Sequence, residues 1–490
     1  MTKKKSYSQF ITLLTTEAQS FFTEKTEKTN TLKAHKATCV VLSTQSPHYS
    51  ENSVKPKVSL CNTINLISVF PVKKLCASVV NIVLLSLLFT SCSNSKKTTS
   101  NLASVFNEND NYFVKEYNFF NDNDSVSTLN ISVNQNKLLF IKLPDTKTFA
   151  AHYEVTYVIY KNYDKLIVLD STTMEFSVHK EEAISSKTHS IKFMAPYGKD
   201  YHIEIIARDL QRNSNFSFMS ELSKTHYSDK HFFTIEQRNE KINNTFSIDT
   251  GNIVLQNKYL INDSILVKYY HRHFPIPIAP YSLENPGSFN KTADSTFYLK
   301  SDSLGLISFN IQQKGFYLFQ KDSTSQNNLC LFNFNAEYPY IVHQKQMLEQ
   351  LEYLCDKREF EKMKNSSNPK KEIDAFWMES CLSEENAKEH IKQFYLRAEV
   401  ANKFFSSYRE GWNTDRGMIF IIFGPPKYIF RSENGERWIY GSDNSVMSEE
   451  FYFHKIENPY SSNAFGLDRS TTYKATWNKM IEAWRNGRLF

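Results

Sequence analysis

A chain of 490 residues exceeds the size at which a single hydrophobic core keeps growing, so several domains are expected. Aromatics make up 14% of it, whereas Gly (12) and Pro (14) are scarce, which excludes collagen-like and low-complexity architectures and favours strands. The formal net charge of +6 resides in the first 91 residues, whose eleven Lys and four Glu leave the remainder near neutral; no basic stripe is left to neutralise a phosphate backbone, which argues against nucleic-acid binding.

Residues 1–72 are rich in Thr, Ser and Lys without periodicity, and read as a disordered extension or as sequence preceding the true start. Residues 73–91 place Lys73 and Lys74 before the apolar run "LCASVVNIVLLSLLFTS", the layout of a secretory signal peptide. Its end, "LLFTSC", resembles a bacterial lipobox. That resemblance implies cleavage before Cys92 and acylation of its thiol and amine, and several acyl chains anchor a protein to a membrane stably. A transmembrane helix is the competing reading, but the run is short for a span and the polar, Lys-containing "SNSKKTTSN" follows it. Residues 92–111 are then the acylated Cys and a linker. Cys39, Cys61 and Cys76 precede the cleavage point, and Cys330, Cys355 and Cys381 have no C-x-x-C spacing, so they are expected to be apolar thiols with at most one disulfide.

From 112 to 237 the pattern alternates: "YEVTYVIY" (153–160), "KLIVLDST" (165–172), "HSIKFMA" (189–195) and "YHIEIIARD" (201–209) predict an antiparallel sandwich of immunoglobulin-like type. A second β-sandwich is predicted over 238–340, from "NIVLQ", "SILVKYYH", "STFYLK", "LISFNIQ", "GFYLFQ" and "NLCLFNF". Within it "FPIPIAP" (274–280) cannot be a central strand, because each Pro lacks a ladder donor. His271 and His273 would share one face if the preceding strand continued, but two ligands do not make a metal site.

Over 341–490 the period becomes helical. Met347, Leu348, Leu351, Leu354 and Cys355 share a face in 345–363, "IDAFWMES" reads as a short helix, and Ile391, Phe394, Tyr395, Ala398, Phe404, Phe405 and Tyr408 share a face in 384–409, with Ser383 as N-cap. Strands are expected at "MIFIIF", "KYIF", "RWIY" and "EFYFHKI", with "ENGE" supplying the Asn-Gly of a tight hairpin. A helix with Tyr473, Trp477, Ile481 and Trp484 on one face closes an α+β unit.

The stretch "GWNTDRGMIFIIFGPP" (411–426) could be a catalytic loop or a packing device. Gly411 suits a left-handed helix stop, Trp412 an aromatic plug and Asn413-Thr414-Asp415 a capped turn. Asp415 beside Arg416 has no second acid, His or Cys at a motif spacing, which favours the packing reading over acid-base chemistry. Gly424-Pro425-Pro426 reads as a rigid strand exit. Gly411, Trp412, Thr414 and Asp415, followed by Arg416-Gly417, Gly424-Pro425-Pro426, Trp438 and Tyr440, resemble the GWxTD domain, a lipoprotein family of Bacteroidetes and related bacteria. The resemblance implies β-sandwich modules before the motif and a place at the outer membrane, but no assigned reaction and no cofactor or metal. Lys96 and Lys97 after Cys92 are where such lipoproteins exported to the surface tend to carry acids, so the periplasmic face is expected. The expectation is a lipid-anchored, non-enzymatic scaffold or binding subunit with an envelope protein partner. A hydrolase of peptidoglycan or peptides using Asp415 with a distant His or Glu, and a glycan-binding lipoprotein, are the alternatives.

Overall fold

The computed structural model describes residues 101–488, apart from 107–111, 145–146, 164–166, 213, 247, 285–286, 288, 322–327, 382 and 442–447. The N-terminal extension, the signal segment and Cys92 lie outside the described residues. Among those described, no helix is long and apolar enough to cross a membrane.

Eight strands come first: β1 (Val114–Asn121), β2 (Val126–Val133), β3 (Ile141–Lys142), β4 (Phe149–Tyr160), β5 (Val168–His179), β6 (Lys187–Met194), β7 (Lys199–Asp209) and β8 (Ser214–Lys224). They form a three-stranded antiparallel sheet, β1-β2-β6, and a five-stranded one, β3-β4-β7-β8, with β5 on the free side of β4. The period of two decides which face is buried. Tyr153, Val155, Tyr157 and Ile159 of β4 meet Leu129 and Ile131 of β2 and Ile191 and Phe193 of β6 in one core, so the two sheets pack as a β-sandwich.

The next eight are β9 (Thr234–Gln237), β10 (Glu240–Lys241), β11 (Gly251–Gln256), β12 (Ser264–Tyr270), β13 (Ser295–Lys300), β14 (Leu306–Ile311), β15 (Gly315–Gln320) and β16 (Leu329–Asn333). Sheets β10-β9-β11-β14 and β13-β12-β15-β16 share a second core, with Ile253, Leu255 and Ile307 against Val267, Phe319 and Leu331. Strand β9, which precedes the 237/238 boundary read from sequence, pairs with β11. The Pro-rich 274–280 lies outside every strand, as its missing N–H groups require. β12 ends at Tyr270, so His271 and His273 do not share a strand face. His271 Nδ1 lies 3.1 Å from the Lys314 carbonyl oxygen instead.

The C-terminal part contains α1 (Gln344–Leu351), α2 (Lys357–Lys364), α3 (Pro369–Ser380), α4 (Glu384–Phe405), α5 (Asp415–Phe423) and α6 (Tyr473–Arg485), and the antiparallel sheet β17 (Tyr428–Ser432), β18 (Gly435–Tyr440), β19 (Glu449–Lys455), β20 (Phe465–Leu467). All five Trp residues of the chain enter one core here. Tyr160, Tyr163 and Met219 of the first sandwich join it. So does the short 3-10 helix Leu102–Val105, within what the sequence suggests is a linker, where Asn101 Nδ2 donates to the Lys427 carbonyl (2.9 Å) and its Oδ1 accepts from Ile429 N (2.9 Å). Ser383 caps α4 by accepting from Asn386 N. The three cysteines among the described residues are free.

Three expectations about helices, strands and turns fail here, each for a physical reason. The single helical face over 345–363 is broken into α1 and α2, because Asp356 Oδ1 accepts from Glu359 N (2.8 Å) and starts a new helix. "MIFIIF" is helix, not strand: Met418 to Ile422 are all buried, and an apolar run buried on every side carries no period that separates helix from strand. The hairpin turn is Glu433-Asn434, with Ser432 opposite Gly435. Gly435 is spent on a close approach instead, since a Cβ there would stand 2.1 Å from the Phe453 carbonyl oxygen.

Candidate functional site

The GWNTD stretch links α4 to α5 through a 3-10 helix, Gly411–Asn413. Gly411 is not in the left-handed region; it is needed because a Cβ would meet the Ala401 carbonyl oxygen at 2.0 Å. Gly417 repeats the device one turn later, its absent Cβ falling 2.0 Å from the Gly411 carbonyl oxygen. The Trp412 backbone N donates to Asn402 Oδ1 (2.9 Å), its carbonyl accepts from the Tyr353 hydroxyl (2.9 Å), and its indole N–H donates to Glu410 Oε2 (3.1 Å). The Thr414 hydroxyl accepts from Gly417 N (3.0 Å) and donates to the Gly411 carbonyl (2.8 Å), which makes it the N-cap of α5. Gly424, at φ +80°, ends that helix, so Gly424-Pro425-Pro426 is a helix exit and not the strand exit expected.

Arg416 is 2% exposed. Its guanidinium donates to Glu436 Oε1 (3.1 Å) and to Asn463 Oδ1 (2.7 Å) and lies 4.1 Å from the Phe465 ring centre. Arg431 also donates to Glu436 Oε1 (2.9 Å from Nε), and Trp438 Nε1 donates to Glu436 Oε2 (2.9 Å). Burial alone would raise the Glu436 carboxyl; Arg431 and Arg416 outweigh it and hold it at about 2. Burial lowers Arg416 to about 10, with Glu436 opposing the shift. Tyr440 reaches the other end of the motif, its hydroxyl donating to the Gly424 carbonyl (2.8 Å). Motif positions far apart in sequence are thus brought into one bonded unit.

Asp415 is the acid on which a catalytic reading would depend. Its Oδ2 accepts from Leu467 N (2.8 Å) and its Oδ1 from Arg469 Nη2 (2.6 Å), with both partners of the ion pair mostly buried. His454 pairs instead with Asp468, 2.6 Å away on an exposed surface. Among the described residues no group of three His, Cys, Asp or Glu is placed to hold a metal. Asp415 therefore ties α5 to β20 and the chain after it. Asp415→Asn should cost about 2 kcal/mol through the lost charge-assisted bonds. Denaturant unfolding reads this, and a variant as stable as the parent would contradict the tying role.

Next to the motif is a cleft of about 900 Å³ lined by Phe274, Phe316, Tyr408, Glu410, Trp412 and Asn413 among others. Sequence reasoning missed Glu410, which reads as the tail of a helix pattern, and Glu436, which reads as a hairpin surface residue. The available signal for Glu436 was its place two residues before Trp438 on β18, hence on the same face.

No curated protein matches the chain. From β15 through α6, residues 315–486 match the family model of the GWxTD domain, and over that stretch the chain is similar to that family.

Proposed function

We propose that the protein is a lipid-anchored, non-catalytic binding or scaffold subunit of a bacterial cell envelope, held through Cys92 at the periplasmic face of the outer membrane. The observation that carries the non-catalytic reading is the engagement of Asp415 with Arg469 and the Leu467 amide. A general base must be free to reach a substrate proton, and this carboxylate is committed to the fold. The anchor rests on "LLFTSC" and the signal pattern before it. The inner face rests on Lys96 and Lys97 following the Cys.

The test is made in cells. An alkyne fatty acid should label the wild-type chain, and Cys92→Ala should lose the label and leave the membrane fraction. In-cell crosslinking followed by capture of the anchored chain should recover a defined envelope protein. Full labelling of the Cys92→Ala variant would overturn the anchor, and absence of any stable crosslinked partner would overturn the scaffold.

A further inference from the structure

The connections β2–β3, β5–β6 and β7–β8 meet at one end of the first sandwich, because Val133 lies opposite Lys187, His179 opposite Ala150 and Asp209 opposite Tyr153. Leu139, Ile141, Phe149, Ile184 and Leu210 stand at this end with 37% to 48% of their surface in water. Large apolar side chains exposed together, and not scattered singly, mark a contact surface. Their backbone is already satisfied. Leu139 N donates to Asp209 Oδ2 (3.0 Å), Ile184 N to Gln135 Oε1 (3.3 Å) and Leu210 N to the His152 carbonyl (3.0 Å), while Ile141 and Phe149 lie in the β3–β4 ladder. Such residues can leave water without stranding an amide, which is the condition for entering lipid. The fringe is basic. Lys137, Lys142 and Lys147 are exposed beside them, and Lys180 Nζ lies 5.6 Å from the Phe149 ring centre. Over residues 134–149, 179–187 and 209–214 six Lys and Arg stand against four acids, of which Asp209 is buried. Lysine stems lie along apolar surface while their ammonium groups reach outward to phosphate.

We propose that this end of the first sandwich sits on the bilayer that holds the Cys92 acyl chains, its five apolar side chains entering the lipid surface and its lysines meeting head-group phosphates. The seating rests on the lipid-anchor reading, and the length of chain after Cys92 permits it. Asn101 is bonded to β17 at Lys427 and Ile429, and the 3-10 helix that follows touches β8. Arg431, on the same strand, donates to the Met219 carbonyl (3.0 Å), five residues along β8 from Ser214 at the apolar end. Five strand residues span about 17 Å. The nine steps from Cys92 to Asn101 reach about 30 Å at most, so the anchored chain can bring the apolar end to the lipid. The second sandwich joins the opposite end, where the Tyr259 hydroxyl donates to Asp124 Oδ1 (3.2 Å), and is carried away from the membrane.

Photocrosslinking of the full-length chain in cells tests it, with Phe149→benzoylphenylalanine compared with Tyr298→benzoylphenylalanine, a site 72% exposed on β13 of the second sandwich. Mass spectrometry counts phospholipid adducts, and an alkyne fatty acid reports on Cys92 in the same samples. Lipid adducts at least tenfold more abundant at Phe149 than at Tyr298 are expected. Equal yields, no lipid adduct, or adducts to protein in place of lipid at Phe149 overturn the seating, and a retained Cys92 label then leaves the anchor standing. Lipid adducts at Phe149 in a chain without the Cys92 label uphold the lipid-facing end and overturn the anchor instead. Adding Leu210→Glu to the Phe149 variant should lower the lipid yield at least fivefold while the denaturant midpoint stays unchanged, because the side chain is exposed. An undiminished yield would show that tethering alone delivers the lipid, and overturns the apolar contact.

Discussion

Glu436→Gln should destabilise the fold by about 3–5 kcal/mol, the cost of removing one partner from a buried charge pair. The glutamine keeps the volume and an acceptor, so the loss is electrostatic. Arg416, 2% exposed, would face a neutral group from inside the core. Arg431, at 22% side-chain exposure, can relax toward water. Arg416→Met should cost less than Glu436→Gln, because it removes a buried cation and leaves Glu436 with Arg431 and the Trp438 indole. The double variant Arg416→Met, Glu436→Gln should lose clearly less than the two single losses together, a coupling of at least about 1.5 kcal/mol for residues in one network. The pH dependence has a defined sign. Glu436 is held at about 2, below the ordinary carboxylate value, so its contribution is complete above the unfolded value near 4.5 and fades as pH falls toward 2. The gap between wild type and Glu436→Gln should be equal at pH 7 and pH 5 and narrower at pH 3. Denaturant unfolding at the three pH values measures it, and a gap that shrinks between pH 7 and pH 5 would refute the pairing.

The two kinds of residue in this network were unequally legible. Strand β4 could be read because one face is buried and the other wet, so Tyr153, Val155, Tyr157 and Ile159 stand out by alternation. Helix α4 could be read for the same reason at helical spacing, with Phe394, Tyr395, Ala398 and Phe405 buried. Helix α5 could not, because β-favouring Ile and Phe are buried on all its sides and only the Thr414 cap marks it. Tertiary burial overrides local preference there. Of the site, Asp415 and Arg416 were visible as residues, but their partners were not. Arg469 and Glu436 lie 54 and 20 residues away, and no local period connects a charge with its counter-charge across such a gap. Glu410 was hidden for a different reason: its environment is made by the Trp412 indole and a cleft wall from the Pro-rich segment, which only the fold assembles.

Gly411→Ala is expected to be the most damaging single-methyl change in the motif, costing about 3 kcal/mol or more by overpacking. The residue has an ordinary φ, so the effect is steric and owes nothing to backbone strain. An added Cβ would stand 2.0 Å from the Ala401 carbonyl oxygen, 2.5 Å from its carbon and 2.6 Å from Asn402 Cα. All three are backbone atoms of α4, and no side-chain rotation relieves them. Real contacts of this kind do not fall below 3.0 Å, so α4 or the 3-10 turn must retreat by about 1 Å. The retreat pulls on bonds in both directions, because Trp412 N is held by Asn402 Oδ1, and the Gly411 carbonyl both receives the Thr414 hydroxyl and sits against Gly417. Gly424→Ala is the informative contrast. The three atoms nearest its added Cβ all belong to the Arg397 guanidinium, the first at 2.9 Å, which is the end of a side chain, and its φ of +80° costs about 1–2 kcal/mol in a residue with a Cβ. Denaturant unfolding should therefore rank Gly411→Ala below Gly424→Ala, and the reverse order would show that the motif's first glycine is not a contact glycine.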